Sequence, residues 1–216
     1  MKYKAVLFDL DGTLVDSLKD IANSMNAVLA RFGYPTHHIQ SYKYFVGDGT
    51  KSLVLRSLPE MHKSEEIVSL CLNAMKEEYR KHWADNLRTY DGITQLLDEL
   101  QIRNLKLTIL SNKSNDLTRM VVTKFLSNWN FEEVFGIRPD IPKKPNPMAA
   151  KLIAKKIDIL PGEFIYLGDT DTDMKTANAA GMYAVGVLWG FREAEELISN
   201  GAQALIKHPL DLLKLL

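Results

Sequence analysis

The chain has 216 residues, more than a usual single domain and fewer than two full-sized ones, so we expect one core domain with a smaller added unit. Its 27 acidic and 27 basic residues balance, which leaves no overall positive field to attract nucleic acid or an anionic membrane. The single cysteine, Cys71, excludes an intramolecular disulfide and fits a reducing compartment. No apolar stretch approaches the ~20 residues of a membrane span. We expect a cytoplasmic monomer or homodimer that binds neither nucleic acid nor membranes.

The chain opens with a short apolar run, Ala5–Phe8, which is typical of a strand buried on both faces of a parallel sheet. A polar turn, Asp9 to Thr13, follows this strand. The spacing of apolar residues then predicts a helix that is capped by Asp16 or Ser17 and ends at Gly33. From there to about residue 83 the pattern stays helical. The helical pattern therefore predicts that residues 16–89 form a small helical unit.

Beyond residue 90 the predicted strands alternate with helices. The predicted strands are 105–110, 164–167, 183–187 and 204–206. This alternation predicts βαβ units and a doubly wound parallel sheet with helices on both faces. Because the first strand belongs to the same sheet, residues 1–15 and 90–216 form the predicted α/β core. The helical unit of residues 16–89 is then an insertion into that core.

Polar side chains follow three of the predicted strands and precede one helix. They are Asp9 and Asp11 after the first strand, Ser111, Asn112 and Lys113 after the second, Asp169, Asp171 and Asp173 after the third, and Lys144 in the segment Lys143–Pro147. Open α/β sheets form their sites beyond the carboxyl ends of the strands. We therefore expect these four segments to meet at one edge of the sheet.

Several carboxylates at one edge repel each other unless a cation neutralises them. Oxygen ligands suit Mg²⁺, which also bridges to phosphate oxygens, and serine, lysine and backbone N–H groups complete a phosphate site. Asp9 is a competent nucleophile, because an aspartyl phosphate divides one hard displacement into two easier ones. Asp11, two residues further on, is placed to protonate the leaving oxygen and later to accept a proton from water.

Each segment also has a purely structural interpretation. An Asp-x-Asp-Gly sequence after a strand is often only a turn. Asp171 or Thr172 is expected to cap the following helix, Ser111 and Asn112 can cap another, and a lone lysine such as Lys144 usually lies in solvent. The predicted convergence of all four segments favours the functional interpretation.

These segments together resemble the haloacid dehalogenase superfamily over nearly the whole chain. The matching segments are Asp9–Ser17, Leu110–Lys113, Lys144 in Lys-Pro-Asn-Pro, and Gly168–Asp173 followed by Ala177, Ala180 and Gly181. The resemblance implies a Rossmann-like core with an inserted helical cap domain. It implies that Asp9 is nucleophile and metal ligand, and that Asp11 is acid and base with its backbone carbonyl on Mg²⁺.

The resemblance extends to the other polar residues. It implies that Asp169 binds the metal directly and that Asp173 supports it directly or through water, while Asp171 is a more distant support. Ser111 and Lys144 are implied to bind the phosphoryl group, helped by backbone N–H groups near Leu10, Asp11 and Asn112.

The inserted unit resembles the first type of cap in this superfamily. Phe45–Lys51 resembles the cap loop of phosphoglycolate phosphatases, and Val187–Phe191 resembles another segment of the same subgroup. Gly47 would let the backbone approach a small ligand, and Lys51 would meet a substrate carboxylate. A surface turn between helices is the alternative interpretation of this loop.

Several functions share these residues. A small phosphorylated metabolite is the expected substrate, with a phosphoglycolate phosphatase as the nearest subgroup. Pyrophosphatase, sugar or nucleotide phosphatase and β-phosphoglucomutase activities stay open, because fold-level analogy does not choose among them. A receiver-like signalling module and a catalytically silent interaction protein are the alternatives of other classes.

Overall fold

A computed structural model describes residues 2–216 of the chain. The strands, numbered along the chain, are β1 (Ala5–Phe8), β2 (Val15–Asp16), β3 (Arg88–Thr89), β4 (Lys106–Ser114), β5 (Phe131–Ile137), β6 (Phe164–Gly168), β7 (Tyr183–Val187) and β8 (Ala204–Ile206). Six of them form one sheet in the order β5-β4-β1-β6-β7-β8, and every neighbouring pair is parallel. The short strands β2 and β3 pair separately.

The helices complete the two compact units into which the chain divides. They are α1 (Leu18–Arg31), α2 (Tyr42–Phe45), α3 (Thr50–Ser57), α4 (Glu65–His82), α5 (Ile93–Ile102), α6 (Asn115–Phe125), α7 (Met148–Lys156), α8 (Asp171–Ala180) and α9 (Ala194–Ser199). The α/β unit consists of the chain up to Val15 together with Thr89–Leu216, and the helical unit is Asp16–Arg88. The chain is thus an α/β protein with a parallel sheet, as the alternation of strands and helices predicts.

The sheet places β1 at its topological switch point. The chain runs from β1 to β4 and β5 on one side and then returns to β6, β7 and β8 on the other. Phe8 lies level with Ile109 on β4 and with Leu167 on β6. Asp9 directly follows β1, whereas Ser111 and Asp169 come two residues beyond those partners. Three neighbouring strands therefore deliver their polar residues to the crevice where such folds bind ligands.

Burial on both faces explains the unbroken apolar sequence of β1. Alternate residues of a strand point to opposite faces. Ala5 and Leu7 belong to a core cluster that includes Ile153 of α7 and Met174 of α8. Phe8, whose side chain points to the other face, is equally inaccessible to solvent. Both faces of the sheet are therefore covered, as in a doubly wound fold.

The edge strand β5 was missed by the sequence prediction. Its sequence contains Glu132 and Glu133, and only its last residues include well-buried positions, so it lacks the continuous apolar run of the central strands. Lys106 pairs with Glu132 and Lys156 pairs with Glu133, at 2.7 and 2.9 Å. An edge strand has one neighbour, so polar side chains are tolerated there.

The helical unit has its own core. Met25 and Leu29 of α1 and Val68 and Met75 of α4 are buried in it. The carboxylate of Asp20 accepts hydrogen bonds from the backbone N–H and the side-chain amide of Asn86, at 2.7–3.0 Å. This buried carboxylate therefore ties α1 to the segment that follows α4.

The ends of α1 differ slightly from the expected caps. Ser17 is the residue before the helix, but its side chain makes no capping bond. Asp16 instead accepts from the backbone N–H of Leu18 at 3.4 Å.

No helix within residues 2–216 is both long and apolar enough to cross a membrane.

Replacing Leu7 by alanine should destabilise the protein by about 2–5 kcal/mol, because a fully buried side chain of β1 leaves a cavity in a close-packed core. Urea denaturation followed by circular dichroism measures this change. Leu160→Ala is the matched control, since Leu160 is 71% exposed and its loss should change stability by less than about 0.5 kcal/mol. Equal effects of the two substitutions would contradict the assignment of β1 as the centre of the core.

Candidate active site

Three carboxylates form a buried cluster at the carboxyl end of the sheet. Asp9 follows β1, Asp169 follows β6, and Asp173 lies in the first turn of α8. One carboxylate oxygen from each residue lies within 4.8 Å of the others. Asp169 and Asp173 are inaccessible to solvent and Asp9 is 7% exposed. The structure therefore brings these three acids together, as the sequence predicts.

Two glycines enclose Asp169. Gly12 has φ +90°, and a Cβ atom there would lie 2.2 Å from Oδ2 of Asp169. A Cβ atom on Gly190 would lie 2.2 Å from the Cβ atom of Asp169 and 2.5 Å from the carbonyl oxygen of Gly12. Any larger side chain at either position would displace the carboxylate. The acidic turn after β1 is therefore more than a chain reversal, because it packs directly on Asp169.

Hydrogen bonds fix the orientation of the Asp169 carboxylate. The hydroxyl of Thr13 donates to Oδ1 and the backbone N–H of Phe191 donates to Oδ2, both at 2.9 Å. The indole N–H of Trp189 donates to the carbonyl of Thr13 at 3.0 Å. The segment after β7 and the turn after β1 thus hold the same carboxylate from two sides.

Asp173 is oriented by the start of α8. Both the backbone N–H and the hydroxyl of Thr170 donate to its Oδ2, at 3.1 and 2.6 Å. Thr170 is the capping residue, so the prediction that Asp171 or Thr172 caps this helix was wrong. Asp171 is the first helical residue and pairs with Lys175 at 2.6 Å. A capping residue has non-helical backbone angles. Thr170 is extended, whereas Asp171 and Thr172 already belong to the helix.

Lys144 joins two of the three carboxylates. Its ammonium group lies 2.8 Å from Oδ1 of Asp9 and 2.7 Å from Oδ1 of Asp173, and its side chain is 2% exposed. Asn112 fixes the backbone of Lys144, since its side-chain amide donates to the carbonyl at 3.1 Å and its side-chain oxygen accepts from the N–H at 3.0 Å. This pairing makes Lys144 a buried cation rather than a solvated surface lysine.

The site is short of positive charge. Burial raises the pKa of Asp9 well above its usual range, and the charges of Asp173 and Asp169 raise it further against the opposing effect of Lys144. Burial and the charge of Asp173 raise the pKa of Asp169 to about 7. Burial by itself lowers the pKa of Lys144, but Asp173 and Asp9 more than offset this and raise it well above its usual value. Lys144 therefore stays protonated, while three buried carboxylates face a single ammonium.

A divalent cation fits this donor set. The three carboxylates present only oxygen ligands, which hard cations such as Mg²⁺ prefer. Two positive charges would balance the three carboxylates together with Lys144. The residues present are thus suited to the metal that the sequence predicts.

Asp11 lies outside the three-carboxylate cluster. Its two carboxylate oxygens accept hydrogen bonds from the ammonium of Lys113, at 2.8 and 2.9 Å. Ser111 is 3% exposed, and its hydroxyl oxygen accepts from the backbone N–H of Lys113 at 3.2 Å. The last residues of β4 therefore include the predicted phosphoryl-binding Ser111 and the partner of the predicted acid/base.

The two predicted residues of the helical unit lie around α3. Gly47 has φ +118° in the loop before this helix, a backbone conformation that favours glycine. Lys51 is exposed in the first turn. Their contact with a substrate stays a prediction.

The sequence reasoning did not assign the residues that orient the acids. They are Thr13, Lys113, Tyr166, Thr170, Gly190 and Phe191. The hydroxyl of Tyr166, for example, donates to Oδ1 of Asp173 at 3.3 Å. Thr170 carried a signal, because a threonine three residues before an acid is the pattern of a capping box. Phe191 acts through its backbone N–H, which no side-chain pattern reveals.

Comparison with known proteins places the chain in a family. Residues 6–187 match the family described as haloacid dehalogenase-like hydrolase. The chain belongs to that family, and the matched range contains every predicted catalytic, phosphate-binding and metal-binding residue of the core. With its relatives, the family identifies the chain as a phosphatase.

Two relatives and one solved structure illustrate the similarity. A phosphoglycolate phosphatase from Chromobacterium violaceum is 33% identical over 98% of this chain and 96% of its own length. A phosphoglycolate phosphatase from Aquifex aeolicus is 28% identical over 99% and 96% of the two chains. A crystal structure from Lactobacillus delbrueckii subsp. bulgaricus, provisionally named a phosphoglycolate phosphatase, has a TM-score of 0.94 and 26% identity, with 100% and 98% coverage.

Magnesium ions should raise the melting temperature by roughly 3–8 °C, because a ligand that binds only the folded state stabilises it. The pKa of Asp169 rises from 3.8 to about 7 on folding, so this group makes the metal-free protein less stable as pH rises across that range. The stabilisation by MgCl₂ should therefore be larger at about pH 8 than at about pH 5. Differential scanning calorimetry measures it.

Asp169→Asn is the matched variant for this measurement. It keeps the shape of the side chain and removes one buried charge, so the metal-free melting temperature should not fall below that of the unmodified protein. The shift caused by MgCl₂ should disappear. An undiminished shift in the variant would place the metal elsewhere.

Proposed function

We propose that the chain is a Mg²⁺-dependent phosphatase that hydrolyses a small phosphate monoester through an aspartyl-phosphate intermediate on Asp9. The observation that carries this proposal is the position of Asp9, which ends the central strand of the sheet 2.8 Å from the buried ammonium of Lys144. A carboxylate held beside a cation at a topological switch point is suited to attack a bound phosphate ester.

The first half-reaction needs a nucleophile, an acid and groups that bind the phosphoryl oxygens. Asp9 would attack phosphorus while Asp11 donates a proton to the leaving oxygen. Lys144 and Ser111 would bind the phosphoryl oxygens, whose charge they stabilise in the transition state. Asn112 supports this step by positioning, since its side chain holds the backbone of Lys144.

The second half-reaction returns the enzyme to its starting state. Asp11 would accept a proton from the water that attacks the aspartyl phosphate, which releases inorganic phosphate and restores the Asp9 carboxylate. Asp11 pairs with Lys113 and is not a member of the three-carboxylate cluster. The two acids that follow β1 therefore have different surroundings, which fits different roles.

Asp9, Asp169 and Asp173 are the side chains that would hold Mg²⁺, with the backbone carbonyl of Asp11 as the further ligand that the sequence predicts. The ion supplies positive charge that favours the ionised form of Asp9 and neutralises phosphoryl oxygens. Thr13, Thr170 and the backbone of Phe191 would keep its carboxylate ligands oriented.

The favoured substrate is 2-phosphoglycolate, because the relatives that carry this activity in their names match nearly the whole chain. Pyrophosphate, sugar phosphates and nucleotides stay as alternative substrates for the same residues, and β-phosphoglucomutase as an alternative reaction. A receiver-like module would place its acid pair and its phosphorylated aspartate after different strands. Here both Asp9 and Asp11 follow β1. A cytoplasmic location stays a prediction.

Asp9→Asn should lower kcat for p-nitrophenyl phosphate by at least about 10³-fold, because the amide is not a nucleophile. Removal of Mg²⁺ with EDTA should have a comparable effect, and added MgCl₂ should restore activity. Release of p-nitrophenol measures both. A variant that keeps more than a tenth of the activity would exclude the aspartyl-phosphate route. Asp171→Asn is the matched control, since Asp171 pairs with Lys175, and its kcat should stay within about threefold.

A panel of phosphorylated metabolites tests the substrate. Values of kcat/KM for 2-phosphoglycolate should exceed those for pyrophosphate, glucose 6-phosphate and nucleoside monophosphates by at least about tenfold, which corresponds to ~1.4 kcal/mol of additional transition-state binding. Released inorganic phosphate gives the rates. A preference for another compound would overturn the substrate while leaving the phosphatase mechanism in place.

A further inference from the structure

Lys113 is a second cation beside the catalytic acids, and the mechanism so far gives it no contact with substrate. It lies near the end of β4, where the register with β5 shifts between Leu110 and Ser114. Its side chain is 6% exposed, and its ammonium donates to both carboxylate oxygens of Asp11. A nearly buried ammonium is costly unless an anion lies beside it.

The position of Asp11 tells which part of a substrate Lys113 approaches. In the proposed reaction Asp11 donates its proton to the leaving oxygen, so its carboxylate comes within hydrogen-bond distance of that atom. Lys113 lies one hydrogen bond further on, at 2.8 and 2.9 Å from the Asp11 oxygens. Lys144 lies instead against Asp9 and Asp173. The two lysines therefore approach different parts of an ester, with Lys144 at the phosphoryl group and Lys113 at the leaving group.

We propose that Lys113 binds an anionic group on the leaving part of the substrate and thereby selects phosphate esters of hydroxy acids. This inference rests on the proposed function and extends it to a residue that determines specificity. In 2-phosphoglycolate the carboxylate is joined to the carbon that carries the ester oxygen. A cation one hydrogen bond beyond the acid/base is at the right range for such a carboxylate, and an ammonium has three N–H donors for more than one anion.

The position of Lys113 is coupled to the phosphoryl site. Its backbone N–H donates to the hydroxyl oxygen of Ser111 at 3.2 Å. The residue that we propose for phosphoryl binding and the residue that we propose for carboxylate binding therefore lie two positions apart at the carboxyl end of β4. An ester that carries both anionic groups on neighbouring atoms would engage both residues.

Pairing with Asp11 also permits a role without substrate contact, in which Lys113 only orients the acid. The two roles differ in a measurable way. Orientation of Asp11 affects every ester alike, whereas recognition of a carboxylate affects only esters that carry one. The ratio of kcat/KM for 2-phosphoglycolate and for its uncharged amide, 2-phosphoglycolamide, separates the roles, and it does not depend on how much of the enzyme is folded.

The experiment measures this ratio in the unmodified enzyme and in Lys113→Met, Lys113→Gln and Lys113→Arg, with MgCl₂ present. We expect the unmodified enzyme to prefer the acid, and both neutral variants to reduce the preference by about 10- to 100-fold, the range for a hydrogen bond to a charged partner. Lys113→Arg should retain most of it. Lys51→Met tests the competing prediction that Lys51 meets the carboxylate. If Lys113 is the determinant, the ratio stays within about threefold in this variant.

Three other outcomes overturn the inference in distinguishable ways. A preference that survives in both neutral variants means that the carboxylate is recognised elsewhere, and the proposed substrate stands. Loss of the preference in Lys51→Met instead assigns recognition to the helical unit. An unmodified enzyme that hydrolyses both compounds equally well, and p-nitrophenyl phosphate too, disproves the substrate and the inference together while the phosphatase activity stands.

Discussion

The contact of the Lys144 ammonium with Asp9 and Asp173 is the interaction on which the site depends. It places one positive charge among three buried carboxylates, at 2.8 and 2.7 Å from two of them. Without Lys144 the burial of these acids would be still more costly, because charges that leave water need close partners. With it, one further cation balances the cluster. The same contact places Asp9 in a cluster whose charge a divalent cation would balance.

The rest of the α/β unit serves this arrangement. The sheet brings Asp9, Ser111 and Asp169 from three neighbouring strands to one edge, because β1 lies between β4 and β6. Small residues then allow close approach, as at Gly12, where a side chain would overlap the Asp169 carboxylate. Backbone and hydroxyl donors complete the orientation. Stability and the candidate site are therefore coupled at this edge, since the buried acids that would hold a metal also destabilise the protein without one.

The two acids after β1 are only two residues apart in the sequence, yet their side chains have different surroundings. Asp9 lies in the buried three-carboxylate cluster beside Lys144. The side chain of Asp11 is 17% exposed and pairs with Lys113. The two lysines are separated in the same way, with Lys144 buried beside Asp9 and Lys113 beside Asp11. This arrangement is the basis of the proposed division between phosphoryl binding and leaving-group recognition. The proposed specificity would then be determined at the carboxyl end of β4, in the core.

The sequence by itself determined the class of fold and most of the candidate residues. Continuous apolar runs require burial on both faces, and strands alternating with helices require parallel pairing, so the convergence of the acidic segments followed from local patterns. It did not reveal β5, whose glutamates suit an edge, or Thr170 as the cap of α8. Only the tertiary structure decided that Lys144 is buried between Asp9 and Asp173 and that Lys113 pairs with Asp11. These pairs join residues 29 to about 135 positions apart, and no local pattern fixes which charges share a buried space.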